Sequence, residues 1–413
     1  MQTLQDPSSL SLFDTDHFFP NFASDHSWEP GWLADHRTES WEKFRKYKSS
    51  TSKDENWRFS PKHLFSLDKI LQLSDQKDLV QLDALESKEA LFQNLDKMIL
   101  DFPDDLSRIT DHDGPNLGAA QNYYLTSSLA DNGFFLGTQK GAEIPEPFIV
   151  EHKTPKDEGI TFERNVINLA PFSSATVFEF INSDESTSHG NASSTLNITL
   201  GEGAKLVRVL VQNVNNNTTL HQFENFTLSK DSSLRNVTIH LGSSQCRSET
   251  KGDMINRGAF FENFSLFLGS GKQLFDQRTR QVHSASDCTS NLLAKNAIND
   301  QSKSIFSGLI KVEEDASNTN AYQTNRNLLL SNEAEADSLP GLEILANEVK
   351  CSHGATTSKI EEQELFYLLS RGIPHRSAEK LISLGFLEEV VEKVNNQDLI
   401  EKIRALIESK FDS

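Results

Sequence analysis

The chain has 413 residues, with 40 basic and 60 acidic side chains, and its formal net charge at pH 7 is −20. This charge argues against nucleic acid or an anionic membrane as a partner. The length predicts two or three structural units, and 36% apolar with 24% charged residues favours an elongated solenoid with a narrow core.

The three cysteines are odd in number and widely spaced, which does not indicate a disulfide framework and favours a reducing compartment. The first residues lack a basic region followed by a long apolar run, so no secretory signal is predicted. No window reaches the roughly eighteen apolar residues that a membrane span needs. These features predict a cytoplasmic protein.

Residues 1–131 are predicted to form an N-terminal helical and irregular domain. Apolar residues at helical spacing indicate helices over 38–47, 86–100 and 116–129. Trp41 and Phe44 lie along one side of the first of these helices. We expect them to be core or docking residues, since aromatic residues are usually buried.

Residues 132–357 change to a period of two, which predicts a long β region. Segments that alternate apolar with polar residues, each bounded by Gly, Ser, Asp or Asn, are 196–200, 206–211, 237–241 and 264–268. The bounding turns recur irregularly, which suggests parallel strands stacked into a solenoid, with apolar faces inside and Asn and Thr outside. A β-sandwich would give similar strand lengths, and periodicity alone leaves it open.

Residues 358–413 are predicted to form a C-terminal helical domain. A helix over 361–369 is expected to end at Gly372, because a glycine and then a proline follow it. Gly385 is expected to separate two further helices, and Asn396 to cap the last one. That last helix carries an apolar stripe, expected to pack within its own domain, of Leu399, Ile400, Ile403, Leu406, Ile407 and Phe411.

Cys351 and His353 form a Cys/His pair at strand spacing. In an extended segment both side chains point to the same face, about 7 Å apart along the strand. A thiolate and an imidazole can share a metal ion, and iron and zinc suit such a pair. Two ligands are too few, so the others would come from another chain, a bridging sulfide or water. A buried structural cysteine beside a satisfied histidine is the alternative interpretation.

Other candidate chemistry is weaker. Cys288 and His283 are at an odd spacing, which puts them on opposite faces of a regular strand, so we interpret both, and Cys246, as structural. A complete phosphate loop and the common hydrolase motifs are absent, so ATP hydrolysis would belong to a partner. Carboxylates at 313–315 and 184–185 could serve a stand-alone carbohydrate-cleaving β-helix enzyme, although charged turns are more often solvated.

Several blocks near the C-terminus resemble the SufB/SufD family of iron-sulfur cluster assembly proteins. The blocks are RNLLLS at 326–331, PGLEI at 340–344, VKCSHGAT at 349–356, ELFYL at 364–368 and RGI at 371–373. Weaker matches extend over most of the chain, but dense similarity begins only past about Arg280. The SufB type would show Cys at Asn325 and Glu at Gly354, so the sequence is more similar to the SufD type.

The resemblance implies a mainly β protein, a right-handed parallel β-helix flanked by helical domains, that acts as a non-catalytic scaffold subunit. It implies a SufB-like paralogue bound through the β-helix edge, SufC-like ABC ATPases held by the C-terminal helices, and a possible homodimer. An iron-sulfur cluster or iron, transient and shared with the partner subunit, would lie at the junction. His353 is the stronger candidate ligand on this side, and Cys351 the weaker.

Overall fold

Stacked strands form most of the molecule. The computed structural model describes residues 17–47, 54–61, 72–76, 78–83, 87–102, 114–183 and 189–412. Within these ranges the strands build two nine-stranded sheets. Successive strands alternate between the sheets, so each turn of the chain adds one strand to each. The predicted mainly β, parallel β-helix architecture with flanking helices is confirmed.

In chain order the described strands are β1 (Val80–Asp83), β2 (Ala90–Asn94), β3 (Phe134–Thr138), β4 (Phe148–Lys153), β5 (Ile160–Leu169), β6 (Ser174–Asn182), β7 (Asn191–Leu200), β8 (Lys205–Asn213), β9 (Thr219–Leu228), β10 (Ser233–His240), β11 (Gln245–Met254), β12 (Phe260–Gly269), β13 (Leu274–His283), β14 (Thr289–Ile298), β15 (Lys303–Val312), β16 (Asn320–Leu329), β17 (Glu335–Ile344) and β18 (Lys350–Lys359). Sheet I contains β1 and the even strands from β4 to β18, and sheet II contains β2 and the odd strands from β3 to β17. β1 and β2 pair antiparallel with their neighbours, whereas the later strands pair in parallel.

The described α-helices are α1 (Phe18–Asp25), α2 (Gly31–Lys46), α3 (Leu95–Asp101), α4 (Ala120–Leu129), α5 (Glu362–Ser370), α6 (His375–Val391) and α7 (Gln397–Asp412). Short 3₁₀ turns lie at Glu55–Trp57 and Glu392–Val394. The helices predicted over 38–47, 116–129 and 361–369 are confirmed in α2, α4 and α5. Among the residues described, no helix combines the length and the apolar character needed to cross a bilayer.

The helix predicted over 86–100 is wrong in its first half. Residues 90–94 form β2, which pairs antiparallel with β3, and only α3 is helical. In the strand, Leu91 and Phe92 point to opposite faces, and each contacts a different apolar cluster. The two clusters flank the edge of sheet II, so tertiary packing favours the extended conformation over the helix that the apolar spacing indicates.

Polar side chains fill part of the solenoid interior, contrary to the prediction that Asn and Thr line the outside. Arg208 of β8 donates across the interior to Glu224 of β9 at 2.7 Å and, along its own sheet, to Asn236 of β10 at 2.9 Å. Asn236 donates in turn to Asn263 of β12 at 3.0 Å. Outward residues of sheet I such as Val209 are apolar, because the C-terminal helices cover them. The alternation is confirmed, but the inner face of this sheet mixes apolar residues such as Leu206 with polar ones, and its outer face is also apolar.

The apolar stripe of α7 packs against the solenoid, not solely within its own domain as predicted. Ile403 of α7, Leu387 of α6 and Val209 of sheet I belong to one buried cluster. Removing apolar surface from water contributes about 25 cal/mol per Å², so covering the outer face of sheet I stabilises both elements. The predicted cap is confirmed, since the side chain of Asn396 accepts a hydrogen bond from the Leu399 backbone N–H at 2.9 Å.

Gly385 does not separate two helices, because α6 runs through it. A glycine inside a helix costs only about 1 kcal/mol relative to alanine. Burial of Leu387 and Val390 against sheet I outweighs that cost. The predicted end of the preceding helix is confirmed, since Gly372 follows α5 with a φ of +81°, which side chains rarely tolerate.

Gly242 and Gly385 give opposite expectations for replacement by alanine. A Cβ on Gly242, in the turn after β10, would lie 1.9 Å from the carbonyl O of Val214. Gly242→Ala is therefore expected to lower the free energy of unfolding by about 1–3 kcal/mol. A Cβ on Gly385 would meet no atom within 4 Å, so Gly385→Ala is expected to be neutral or to stabilise α6 by up to about 1 kcal/mol. Urea unfolding of both variants measures the difference, and equal stabilities would contradict the close packing of the Gly242 turn.

Candidate functional site

The last turn of the solenoid is open. β17 and β18 are the terminal strands of sheets II and I, and their residues are exposed or only half-buried. Their outer edges have no neighbouring strand in the part of the chain that the structure describes. Unpaired strand edges offer backbone N–H and C=O groups to another chain. This end of the molecule is therefore competent for strand pairing.

The register places Cys351 and His353 on the inner face of the last turn. Cys351 lies beside Ala321 of β16, and His353 lies beside Gln323. Both β16 residues are buried in the solenoid interior. Residues paired in this way point to the same side of the sheet. Cys351 and His353 therefore share one face, and that face continues the interior of the protein to its open end.

Cys351 packs on an apolar cluster inside this end. The cluster contains Ile310, Val312, Ala316 and Ala321, and the thiol is half-buried against it. Burial raises the pKa of the Cys351 thiol. The neutral thiol is a weak ligand, so a metal ion or a nearby positive charge is needed to stabilise the thiolate.

His353 is exposed and lies beside the buried amide of Gln323. The Nε2 of Gln323 donates to the carbonyl O of Gly308 at 3.2 Å. Its Oε1 is buried and has no hydrogen-bond partner among the described residues. An acceptor at this position can take an imidazole N–H, which would leave the other ring nitrogen available to a metal ion.

A ladder of amides and hydroxyls holds the strands around this site in register. Asn296 donates to Asn327 at 2.8 Å, and Asn327 donates to the hydroxyl of Thr357 on β18 at 3.2 Å. The hydroxyl of Ser338 on β17 donates to the buried Asn325 at 2.6 Å. The ladder joins β14, β16, β17 and β18, so the inner face of the open turn is a fixed surface.

Cys351 and His353 do not make a complete metal site by themselves. Across the described ranges, no group of three or more His, Cys, Asp or Glu side chains is arranged to hold a metal ion. A structural zinc or iron-sulfur centre usually takes four protein ligands. The pair can therefore serve as part of a ligand set that groups from outside this chain would complete.

The remaining cysteines lie inside the protein. Cys246 and Cys288 are buried and free, and burial raises the pKa of both thiols. The Cys288 thiol donates to the carbonyl O of Asn256 at 3.2 Å. His283, at the end of β13, shares a 2.8 Å hydrogen bond with the hydroxyl of Ser290. These contacts support the structural interpretation of all three residues.

A buried charge network in the solenoid interior is missing from the sequence-based prediction. Glu179 binds the guanidinium of Arg208 through both carboxylate oxygens, at 2.7 and 3.0 Å, and Arg208 also contacts Glu224 at 2.7 Å. His152 lies 2.8 Å from Glu163 and 3.6 Å from Glu179. The five side chains extend through β4, β5, β6, β8 and β9. Charged residues within otherwise apolar strands are the sequence signal that could have indicated this network.

The pKa shifts of His152 and Glu179 favour the charged form of both groups at neutral pH. Burial acts to lower the pKa of His152, but Glu163 and then Glu179 raise it, to about 9. Burial acts to raise the pKa of Glu179, but Arg208 and then His152 lower it, to about 2. Buried charges of opposite sign compensate each other only while all partners are present.

Among the described residues, the carboxylates at 313–315 considered for carbohydrate cleavage lie at a turn. Glu313 follows β15 and pairs with Lys311 at 2.6 Å, and the next two acidic residues are exposed in the turn. This arrangement is a solvated turn. The other acidic pair, at 184–185, lies outside the described residues.

Helix α5 presents apolar side chains to solvent. Phe366 and Tyr367 are 71% and 57% exposed, and Leu369 is also exposed. We call these three residues the α5 patch. Exposed apolar side chains grouped on one short helix indicate a protein contact surface.

Residues 152–386 match the family described as "SUF system FeS cluster assembly, SufBD core domain". The chain is 28% identical over 383 residues to "Iron-sulfur cluster assembly protein SufD" of Escherichia coli K12, which covers 86% of this chain and 88% of that protein. It is 24% identical over 424 residues to the protein of the same name from Bacillus subtilis 168, and the match covers 95% of this chain and 97% of that protein. An "Iron-sulfur cluster assembly SufBD family protein" of Mycobacterium leprae is 32% identical over 192 residues, and the match covers 45% of this chain and 49% of that protein.

Proposed function

The chain belongs to the SufBD core-domain family of SUF-system iron-sulfur cluster assembly, and we propose that it serves as a SufD-type scaffold subunit without catalytic activity of its own. The open last turn carries this proposal, because it combines unpaired strand edges with a partial ligand set. SufD relatives that span most of both chains support it. The three free cysteines suit the reducing cytoplasm.

The partner proposed for the open turn is a SufB-type paralogue. A related solenoid would have similar strand geometry, so its terminal strand could continue the ladder of β17 or β18 through main-chain hydrogen bonds. Without the paralogue, a second copy of this chain would take the same place. Residues 132–357 are the scaffold in this proposal, with residues 1–131 and 358–413 as flanking domains packed against it.

His353 is proposed as a ligand to iron or to a nascent cluster at this junction, with Cys351 as the weaker second ligand. The imidazole is exposed and can bind in its neutral form. The thiol of Cys351 must lose a proton to bind, and burial opposes that loss. The cluster is cargo shared with the partner subunit, because the described residues contribute only part of a ligand set.

The α5 patch is proposed as the contact for a SufC-type ABC ATPase. Helices α6 and α7 are fixed to sheet I by a buried apolar cluster. Helix α5 precedes them and leaves Phe366 and Tyr367 uncovered in this chain. A partner that moves on ATP hydrolysis could therefore act on the C-terminal helices and, through β18, on the open turn.

Co-expression of the tagged chain with a SufB-type and a SufC-type protein tests the proposed function. We expect all three proteins to purify together, with iron and acid-labile sulfide after anaerobic reconstitution. A stand-alone carbohydrate-cleaving enzyme would instead purify alone and release sugars from a polysaccharide. Recovery of the chain without either partner would contradict the scaffold function.

Introducing charge into the α5 patch is expected to release the ATPase. Phe366→Glu should reduce the amount of co-purified SufC-type protein by about tenfold or more, since truncating or charging an interface anchor costs about 2 kcal/mol or more. Phe172→Glu is the matched control, because Phe172 is 53% exposed on a solenoid turn. Densitometry of the purified complexes measures the effect, and equal ATPase recovery from both variants would contradict this docking surface.

A further inference from the structure

An open cleft of about 690 Å³ lies against sheet II, on strands β13, β15 and β17. Arg278, Ser307 and Leu339 follow one another across these strands in register and line the cleft. Gln277 contacts Ser265 of sheet I across the interior at 2.9 Å, so its neighbour Arg278 faces outward. The cleft is therefore on the outside of the solenoid, separate from the inner face that carries Cys351 and His353.

Residues 55–60 form one side of this cleft and are held firmly in place. The Nε1 of Trp57 donates to the carbonyl O of Gly118 at 2.9 Å. The guanidinium of Arg247 lies 4.1 Å from the centre of the Trp57 ring. Ser60 donates to the carboxylate of Asp276 at 2.5 Å. The cleft is bounded on this side by chain that is anchored to the solenoid.

Arg278 lines the cleft with a buried guanidinium that is only partly satisfied. Its side chain is 3% exposed. Nε donates to Asp276 at 2.6 Å, and Nη2 donates to the carbonyl O of Arg58 at 3.0 Å and to Ser60 at 2.9 Å. Nη1 is buried and has no hydrogen-bond partner among the described residues. A buried donor without an acceptor is costly, so an acceptor placed here would be bound favourably.

The acidic groups nearest Arg278 are already shared. Asp276 contacts Arg247 and Arg278, each at 2.6 Å. Arg247 also contacts Glu249 at 2.7 Å. These two arginines and two carboxylates balance in charge, so no acidic group of this cluster is left over to neutralise a further cation.

Two more arginines make the cleft positive within an acidic protein. Arg58 and Arg280 line the cleft together with a single carboxylate, that of Glu55. The Nε of Arg280 is buried and, in the part of the chain described, has no hydrogen-bond partner. In a chain of net charge −20, this local excess of guanidinium groups would attract and orient an anion.

We propose that this cleft binds the phosphate group of a small anionic ligand. A guanidinium presents several N–H donors in a planar fork that matches phosphate oxygens, and charge-assisted hydrogen bonds of this kind are strong. Arg278 and Arg280 supply the unpartnered donors, and the hydroxyl of Ser307 lies in register beside Arg278. The phosphate could be inorganic or part of a phosphomonoester.

Calorimetric titration of the full-length chain with inorganic phosphate, pyrophosphate and adenosine monophosphate, at constant ionic strength, tests this site. We expect saturable binding that Arg280→Gln weakens by about tenfold or more, because a hydrogen bond to a charged group contributes at least that factor. The control is Arg257→Gln, whose guanidinium is 72% exposed and pairs with Asp287 on a turn. Tighter binding of the nucleotide than of inorganic phosphate would identify a phosphomonoester as the ligand.

A second variant guards against a folding defect. Arg278→Lys keeps the charge but removes the fork, and it should weaken phosphate binding while thermal unfolding shows a folded protein. Absence of saturable binding, or equal affinity in wild type and Arg280→Gln, would overturn the proposal. Loss of partner co-purification in Arg280→Gln without any phosphate binding would also overturn it, because the cleft would then be a protein contact.

Discussion

Replacing His353 with alanine is expected to reduce the iron and sulfide retained by the reconstituted complex by about tenfold or more, since even groups behind the first ligands of a metal site contribute roughly 10–100-fold to affinity. The imidazole is exposed at the open turn, so its removal should leave folding and subunit assembly intact. Cys351→Ala should have a smaller effect, because burial disfavours the thiolate form of this residue. Iron and acid-labile sulfide per complex, with absorbance in the visible region, measure the loss.

His375→Ala is the matched control for this experiment. His375 begins α6, is 60% exposed and pairs with Glu379 at 3.3 Å, away from the inner face of the last turn. Cluster retention should equal that of the wild type. If His353→Ala retained the full amount of iron and sulfide in an intact complex, the ligand assignment would be wrong.

Replacing Arg208 with alanine is expected to lower the free energy of unfolding by about 3–5 kcal/mol, the typical cost of removing one partner from a buried ion pair. Arg208 is 2% exposed and binds the carboxylates of Glu179 and Glu224. Without it, both carboxylates remain inside the solenoid, and Glu179 keeps His152 at 3.6 Å. Urea or thermal unfolding monitored by circular dichroism measures the change.

Arg235→Ala is the control that distinguishes the loss of a buried, paired arginine from the loss of a partly exposed one. Arg235 stands on β10, next to β8, and pairs with Glu262 at 2.7 Å, but its side chain is 32% exposed. A partly exposed pair contributes at most about 1 kcal/mol. A similar loss of stability in both variants would show that the buried network does not depend on compensation between its charges.

The strand pattern predicted that Cys351 and His353 share one face of a strand. Alternation around residue 351 places Cys351 and His353 on one face, and the structure has both on the inner face of β18. The period of a strand follows from backbone geometry, so it survives in any sheet. Which face becomes the interior depends on neighbouring strands, and the spacing of two residues contains no such information.

The apolar stripe of α7 and the residues of β8 also show that a sequence pattern does not tell which surface a face packs against. The sequence indicates that Ile403 lies on an apolar stripe and that Val209 and Val211 alternate with polar residues. It does not show that these surfaces cover each other. The interior position of Arg208 was missed for this reason. The C-terminal helices bury the outer, apolar face of sheet I, so the polar residues that alternate with these apolar residues face the interior. Gly385 was misjudged because local helix preference is weaker than burial of the residues that follow it.

The two ends of the solenoid differ, and this difference limits how copies can be joined. At one end β1 and β2 are short and run antiparallel to the rest, which discourages further strand addition, while β17 and β18 are ten residues each and open. Strand pairing between copies would therefore use the β17–β18 end of each solenoid. If two chains pair through β17 or β18 as proposed, that end of each chain is occupied in the pair, so the same contact would not extend into a filament.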